Sequence, residues 1–600
     1  MNRPERESDQ SAKAHDGPSA VALHELGIRH MQAGRHLDAQ LCCEQALAID
    51  PLHVDSLQLM GLLCLQAKQY DHAIEWIARA NRQDPKAQHL ISLGIALTQQ
   101  GLHGEALKAF DEAIRITPGD VEIWLHHGNA LANLQRPADA VTSYQHALKL
   151  NPHHVDAAFH CGLLLRNLNR TEEALHHLDL CDRLLPNNCA VLEQRGLVLH
   201  DLKRFEEALD ANLRAYPHKP SSPEICNNIG AALLKLRRYE ESLPWFDRAL
   251  ALLPGSVPVL MSKATVLARL LRLDEALAVC AQVRAIAPGN ADAAFLLSEL
   301  QLLTGDFAAG WVGREARWKT RLTLGYPKLT QPMWLGDGPV EGKTILVFAD
   351  EGLGDTIQFA RYIPMLAARG ARVILSVDDP LVSLLSGLSG VFRLLRSSEP
   401  LPDFDLHCPI CSLPLAFRTR LETIPPDVYL PRPAEARVEA WENRLGPRGK
   451  LRVGLAWSGN PNHSNDHNRS LRLPKLAPLL DLDAAFVSLQ KEPRPDERAQ
   501  FEQMGIVDLT ALLTDLAETA ALMSCLDLVI TVDTGVAHLA GALGRPTWVL
   551  LPYTPDWRWL LGRDDSPWYG SVRLFRQDER RDYVPVIERV REALQARLSA

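Results

Sequence analysis

Three loops of this 600-residue chain combine residue types that could do chemistry. Ala349 to Gln358, ADEGLGDTIQ, sets two glycines and three acids directly after the apolar run TILVF. Glycines behind a strand suggest a phosphate cradle, but Asp350, Glu351 and Asp355 would crowd and repel a pyrophosphate. The stretch DTGVAHLAGALGRP, from Asp533, follows LDLVITV and opens a helix. There the amides of Thr534, Gly535 and Val536 carry the positive end of the helix dipole with no intrahelical acceptor, so a diphosphate would fit. Gly535 would let backbone approach a ligand closely, and Asp533 is suited to accept hydrogen bonds from sugar hydroxyls. Asp533 or Thr534 serving only as a helix cap is the competing explanation. The third loop, SGNPNHSNDHNRS from Ser458, follows LRVGLAW.

The elements that must position these loops alternate strand and helix. Strands are expected at 343–349, 371–377, 451–457, 484–490, 526–532 and 546–552, each a β-rich run bounded by turn residues. Such alternation predicts parallel α/β domains, in which ligands sit beyond the carboxyl ends of the strands. The segment Pro431 to Lys450 has a Pro-rich entry, one helix and a Pro/Gly exit, and reads as a link. Two Rossmann-like domains facing a cleft follow, over 342–445 and 446–600, the second ending in a closing helix.

The first half is periodic. Pro51, Pro85, Pro118, Pro152, Pro186, Pro220, Pro254 and Pro288 recur every 34 residues, once 33. A glycine usually lies 24 residues before the proline (Gly27, Gly61, Gly94, Gly128, Gly162, Gly196, Gly230), and a small residue 12 before it (Ala39 through Ser242 and Ala276). Small residues let two antiparallel helices approach, and the proline ends the second helix. About eight helix pairs are expected over 20–290, with a partial capping repeat and connector over 291–341. Residues 1–19 are polar and expected to be disordered. Concave-face positions read Glu25, Leu59, Ser92, His126, His160, Gln194, Asn228 and Ser262, a mixed polar row where a protein partner would bind.

Composition narrows the partners. A net charge of -9 and a pI of about 6.2 give no basic excess for nucleic acid. No segment approaches 18 uninterrupted apolar residues and the start lacks a signal-peptide core, which predicts a cytoplasmic protein. Eleven scattered cysteines argue for reduced thiols rather than a disulfide framework. HCPIC holds Cys408 and Cys411 at metal spacing, with His407 a conceivable third ligand, yet no second pair follows, and small apolar residues at a strand end explain it as well. DFD (403–405) and DLD (481–483) lie away from strand carboxyl ends. No metal and no cofactor are expected.

The stretch Ile123 to Pro152 resembles the tetratricopeptide repeat. EGLGDTIQF with VITVDTGVAHLAGALGRP resembles the bacterial family 9 glycosyltransferases, the ADP-heptose:lipopolysaccharide heptosyltransferases and their relatives. Leu353, Gly354 and Asp355 match the first-loop motif, and Asp533, Thr534, Gly535, His538 and Leu539 match the second. The resemblance implies a GT-B fold, Asp355 as catalytic base, and sugar and diphosphate held at the 533–536 helix start. The family's lysine after the second-loop strand has no match; Arg469 and Arg472 of RSLRLP stand nearby and could neutralise a leaving phosphate. GLAWSGNPNH with NRS is similar to a subgroup that couples tetratricopeptide repeats to this catalytic unit.

The expected activity is transfer of a sugar from a nucleotide-sugar donor to an acceptor hydroxyl of a protein or glycan, inverting and metal-independent. Ser458, Arg469, Asp533, Thr534, Gly535, Val536 and His538 would bind donor, with Gln358, Arg472, Gln490 and Lys491 as further candidates. Trp557, Trp559 and Trp568 could stack on a base or sugar, or pack the closing helix; packing is the preferred expectation. Two other classes compete. A dinucleotide oxidoreductase is suggested by Gly352, Gly354 and Asp378 but lacks the third glycine, where Ile357 stands. A repeat scaffold with an inactive transferase domain is the non-enzyme alternative.

Overall fold

The computed structural model describes residues 18–320, 328–426, 428–463 and 465–599. Residues 1–17 of the segment expected to be disordered, and 321–327 of the connector, lie outside the described residues. The chain divides into two compact units, 1–254 and 255–600.

The described residues of the first unit form seven antiparallel helix pairs, from Ala20–Gln32 with His36–Ile49 to Pro223–Lys235 with Tyr239–Leu252. The small residues close each pair as expected. A Cβ added to Gly128 would lie 2.5 Å from Tyr144, and one on Gly230 would lie 2.8 Å from Phe246, sixteen residues on in both cases. Ala39, Ala73, Ala106, Ala140 and Ala174 are fully buried. Between the two helices of each pair one residue takes a left-handed conformation, at Gly34, Lys68, Gly101, Gln135, Asn169, Lys203 and Arg237. Its neighbour closes the helix end, as Arg136 N–H does on the Leu131 carbonyl at 3.0 Å. In the concave row Leu59 and Ser92 are buried, while His126 and His160 stack on Phe110 and Tyr144 with centroids 5.8 and 5.9 Å apart.

The second unit begins with two more helix pairs, Val257–Arg269 with Leu273–Ile286 and Ala291–Leu303 with Phe307–Arg314, and a 3-10 turn Glu315–Lys319. Two all-parallel sheets follow. The first has β1 (Thr344–Phe348), β2 (Arg372–Val377), β3 (Val391–Arg396) and β4 (Leu406–Pro409) in the order β3-β2-β1-β4. The second has β5 (Leu451–Ala456), β6 (Ala484–Ser488), β7 (Ile506–Val507), β8 (Leu528–Val532), β9 (Thr547–Leu551) and β10 (Val572–Arg576) in the order β10-β9-β8-β5-β6-β7. From its first strand this order is the doubly wound Rossmann arrangement, and β5 beside β8 is its switch point, where crevices for ligands form. Leu455 faces Ile530 across that junction.

All six expected strands are present. The four not foreseen, β3, β4, β7 and β10, are the edges of the two sheets. The ninth helix pair does not end in a solvated polar face. Phe307 and Trp311, 1% and 2% exposed, pack against Phe359, Trp557 and Trp568, so its apolar side is covered by the α/β portion. Trp557, Trp559 and Trp568 are buried, as a packing role requires, but they pack against Phe307 and Trp311 of the ninth pair and against His538 and Tyr569 rather than under the closing helix. The closing helix Val584–Ser599 buries Val586, Ile587, Val590 and Leu594 against the second sheet's core.

Candidate functional site

The loop after β1 leads into the helix Leu353–Phe359. Asp355 accepts from its own loop, taking the Gly352 N–H at 2.9 Å, so the first turn is fixed by the side chain that projects from it. Asp350 is ion-paired to the Nε and Nη2 of Arg317, at 3.1 and 2.8 Å, and accepts the Cys411 N–H at 3.0 Å. Glu351 pairs with Arg314. Two of the three acids of this loop are therefore bound by arginines from the end of the ninth repeat, and Asp355 is the one turned elsewhere. The two glycines of this loop differ in what they permit. Neither has a positive φ; Gly354 instead permits close approach, because a Cβ there would lie 2.9 Å from His538 and 3.5 Å from the Gly535 Cα.

That approach brings the third loop to the first. Thr534 is the N-cap of the helix Gly535–Ala542, and no side chain caps it, so the simple capping explanation does not hold. Gly535 is exposed, Val536 half-buried, and Asp533 and Thr534 buried. Arg469 reaches this turn from the second loop, donating from Nη1 to the Asp533 carbonyl at 3.0 Å. Its Nε has no hydrogen-bond partner among the described residues. A cation, with Asp466 Oδ1 3.8 Å from its Nε, and an uncapped helix N-terminus thus lie together, as an anion site requires.

A residue with no sequence signal of its own reaches the first loop from the turn after β9. Arg558, 6% exposed, donates from Nη2 to Asp355, from Nε to the Gln358 Oε1, and from Nη1 to Asp556 at 2.8 Å. Burial works against charge on Asp556, but Arg558 outweighs it and holds that carboxyl low. Asp533 goes the other way: burial, then the nearby Asp556, push it up to about 6. His538 bonds the Tyr569 hydroxyl through Nδ1 at 3.0 Å and stacks on Trp559. Burial, then Arg558, lower it to about 3, so it is neutral near pH 7.

The His538 shift has a stability consequence. Its folded value of about 3 lies below the ordinary 6.5, so the unfolded chain binds the extra proton between them and stability falls as pH drops through that window. Asp533 opposes this in part, since its raised value makes the folded state bind more protons between about 4 and 6. His538→Gln is expected to flatten the loss of stability between about pH 6.5 and 4.5, read as the urea midpoint of tryptophan fluorescence. Nine of the twelve tryptophans lie beyond residue 254 and report this unit. An unchanged slope would refute the assignment.

The remaining candidates are placed as follows. Ser458 is buried at the end of β5, and its N–H and that of Trp457 both donate to the Gln490 Oε1, at 3.0 and 3.2 Å. Gln490 therefore anchors the second loop. Lys491 is exposed. Arg472 is held by Asp496 and by the buried Glu497, 3.0 Å away, and is thus already neutralised. Gln358 is fully buried beneath Arg558, and its Nε2 has no partner among the described residues. Among the described residues one group is compact enough for a metal ion, Asp350, Glu351 and Cys411. Both carboxylates are committed to arginines, and burial keeps the Cys411 thiol protonated. Cys408, the other half of HCPIC, is not in that group.

Comparison with known proteins agrees with this division. Residues 496–581 match glycosyltransferase family 9 (heptosyltransferase). Tetratricopeptide repeat models match 30–93, 78–121, 125–188 and 223–256. The chain is 29% identical over 332 residues to Protein FlbA of Caulobacter vibrioides, a match covering 50% of this chain and 54% of that protein. The chain thus aligns with about half the length of that relative. Solved structures similar to it include Pseudomonas aeruginosa pilF (22% identity, 34% of this chain, 94% of that chain, TM-score 0.32). Another is YrrB, described as a TPR protein with an unusual peptide-binding site (20% identity, 29% of this chain, 90% of that chain, TM-score 0.27). The chain thus carries tetratricopeptide-repeat matches in its first half and a match to glycosyltransferase family 9 over 496–581. Among the described residues no helix is long and apolar enough to cross a membrane.

Proposed function

We propose that this protein transfers a sugar from a nucleotide-sugar donor to an acceptor hydroxyl by direct displacement, in a GT-B arrangement and without a metal ion. The observation that carries the reading is the convergence at Gly354, where the Asp355 helix and the 533–536 helix start touch. A base and an anion site, the two things glycosyl transfer needs, then share one cleft. The diphosphate rests on the amides of 534–536 and Arg469, with the Ser458 loop beside it. Asp355 takes the acceptor proton, and attack from the face opposite the leaving group inverts the anomeric centre. Among the described residues two of the roughly four lone-pair positions of that carboxylate are occupied, by Gly352 and Arg558, which leaves room for a hydroxyl to donate. Neutral His538 adds no charge next to the anion. The repeats recruit a protein acceptor or partner.

Calorimetry with a panel of nucleoside diphosphates and NAD tests this. Binding of one diphosphate, weakened at least about tenfold by Arg469→Ala, is expected. Binding of NAD alone would establish a dinucleotide enzyme, and no binding at all a scaffold.

A further inference from the structure

Arg558 lies in a turn that is held from several sides. Asp556 caps it, accepting the Arg558 N–H at 3.0 Å as well as the side chain. The turn ends on Leu560 at φ 50 and ψ -165, a backbone conformation that only firm surroundings sustain in a leucine. Those surroundings are visible: Arg576 donates to the Trp559 carbonyl at 2.6 Å and to the Leu560 carbonyl at 2.9 Å. The Arg558 guanidinium also lies over the Trp557 ring, 4.2 Å from its centroid. From this fixed turn behind β9, in the second sheet, it reaches across to two residues of the helix behind β1, in the first. A planar guanidinium with three arms engaged has no freedom to rotate.

We propose that Arg558 is a positioning residue for Asp355, spanning the two lobes and orienting the carboxylate toward the acceptor hydroxyl. This rests on Asp355 being the base. One arm grips an Asp355 oxygen while a second fixes Gln358 on the same helix, so the carboxylate and its supporting helix are aligned together. The donor-side turn thereby sets the geometry of the acceptor-side base. Loss of the grip lets the carboxylate swing, and a displacement of about 1 Å costs on the order of 100-fold in rate.

A double-mutant cycle tests the assignment. Arg558→Ala is expected to lower kcat about 100-fold with the donor dissociation constant held within about threefold, and Arg558→Lys to recover part of the loss. In an Asp355→Asn background, Arg558→Ala should slow the residual turnover no further, because the group it orients is gone. Equal losses in both backgrounds would overturn the proposal, as would a loss confined to donor affinity. If Arg558→Ala does not fold, the same cycle is run with Arg558→Lys. Near-normal transfer by Asp355→Asn alone would refute the base assignment itself, a result distinct from a failed cycle.

Discussion

Asp355→Asn is expected to lower sugar transfer about 100- to 10,000-fold, the range attributable to a general base. Donor binding should stay within about threefold, since the amides and Arg469 that hold the diphosphate do not pass through this carboxylate. The substitution conserves volume and keeps an oxygen to accept from Gly352 or Arg558, so folding is little affected. It removes the capacity to take a proton. Transfer rate and calorimetric donor affinity, measured on one preparation, separate the two effects. Retained turnover would move the base elsewhere, and lost donor affinity would place Asp355 at the donor instead.

Arg317→Met is expected to cost the second unit about 3–5 kcal/mol, the typical result of removing one partner of a buried ion pair. The Asp350 side chain is 1% exposed and that of Arg317 3%. Without the arginine, a carboxylate that burial already disfavours as an anion keeps, among the described residues, the Cys411 N–H. Arg317 also donates to Ser412 at 2.7 Å, so the loss spreads to the helix start beyond β4. Against a typical domain stability of about 5–15 kcal/mol this is a large fraction. The urea midpoint of tryptophan fluorescence would report it. Asp350→Asn in the same chain should restore part of the loss, because the orphaned charge is gone. A midpoint unchanged by Arg317→Met would show that the pair contributes nothing net.

How far the fold was legible depended on burial. The internal strands β1, β2, β5, β6, β8 and β9 are covered on both faces and read as continuous apolar runs such as TILVF and LVITV. The edge strands read differently: β3 is VFRLLR, β10 is VRLFR, β4 is LHCP and β7 has two residues. Edges tolerate arginine and proline, which erases the run that marks a strand. HCPIC, where metal spacing competed with small apolar residues at a strand end, spans the end of β4 and the turn after it, with both thiols buried.

The candidate site divides the same way. Asp355 and the 533–536 helix start were visible because glycine and acid types follow strands at fixed offsets, and such offsets are local. Arg558 was not, because an arginine between tryptophans carries no local pattern, and its partners lie about 200 residues earlier. Gln490 and Arg472 stand in suitable positions along the chain, yet the first is spent on backbone amides and the second on carboxylates. Position after a strand says where a side chain starts, not which partner it finds.

The sequence by itself determined the periodic helix pairs, the two parallel sheets and the loops that carry the acids and the free helix start. Each follows from short-range rules of residue size, hydrogen bonding and strand-end position. Only the tertiary structure decided that the last repeat supplies Arg314 and Arg317 to the loop before Asp355, that Gly354 is a contact point between helices, and that Arg558 bridges the lobes. Those are pairings of buried charges and close-packed surfaces from distant parts of the chain, and such pairings exist only once the chain has folded.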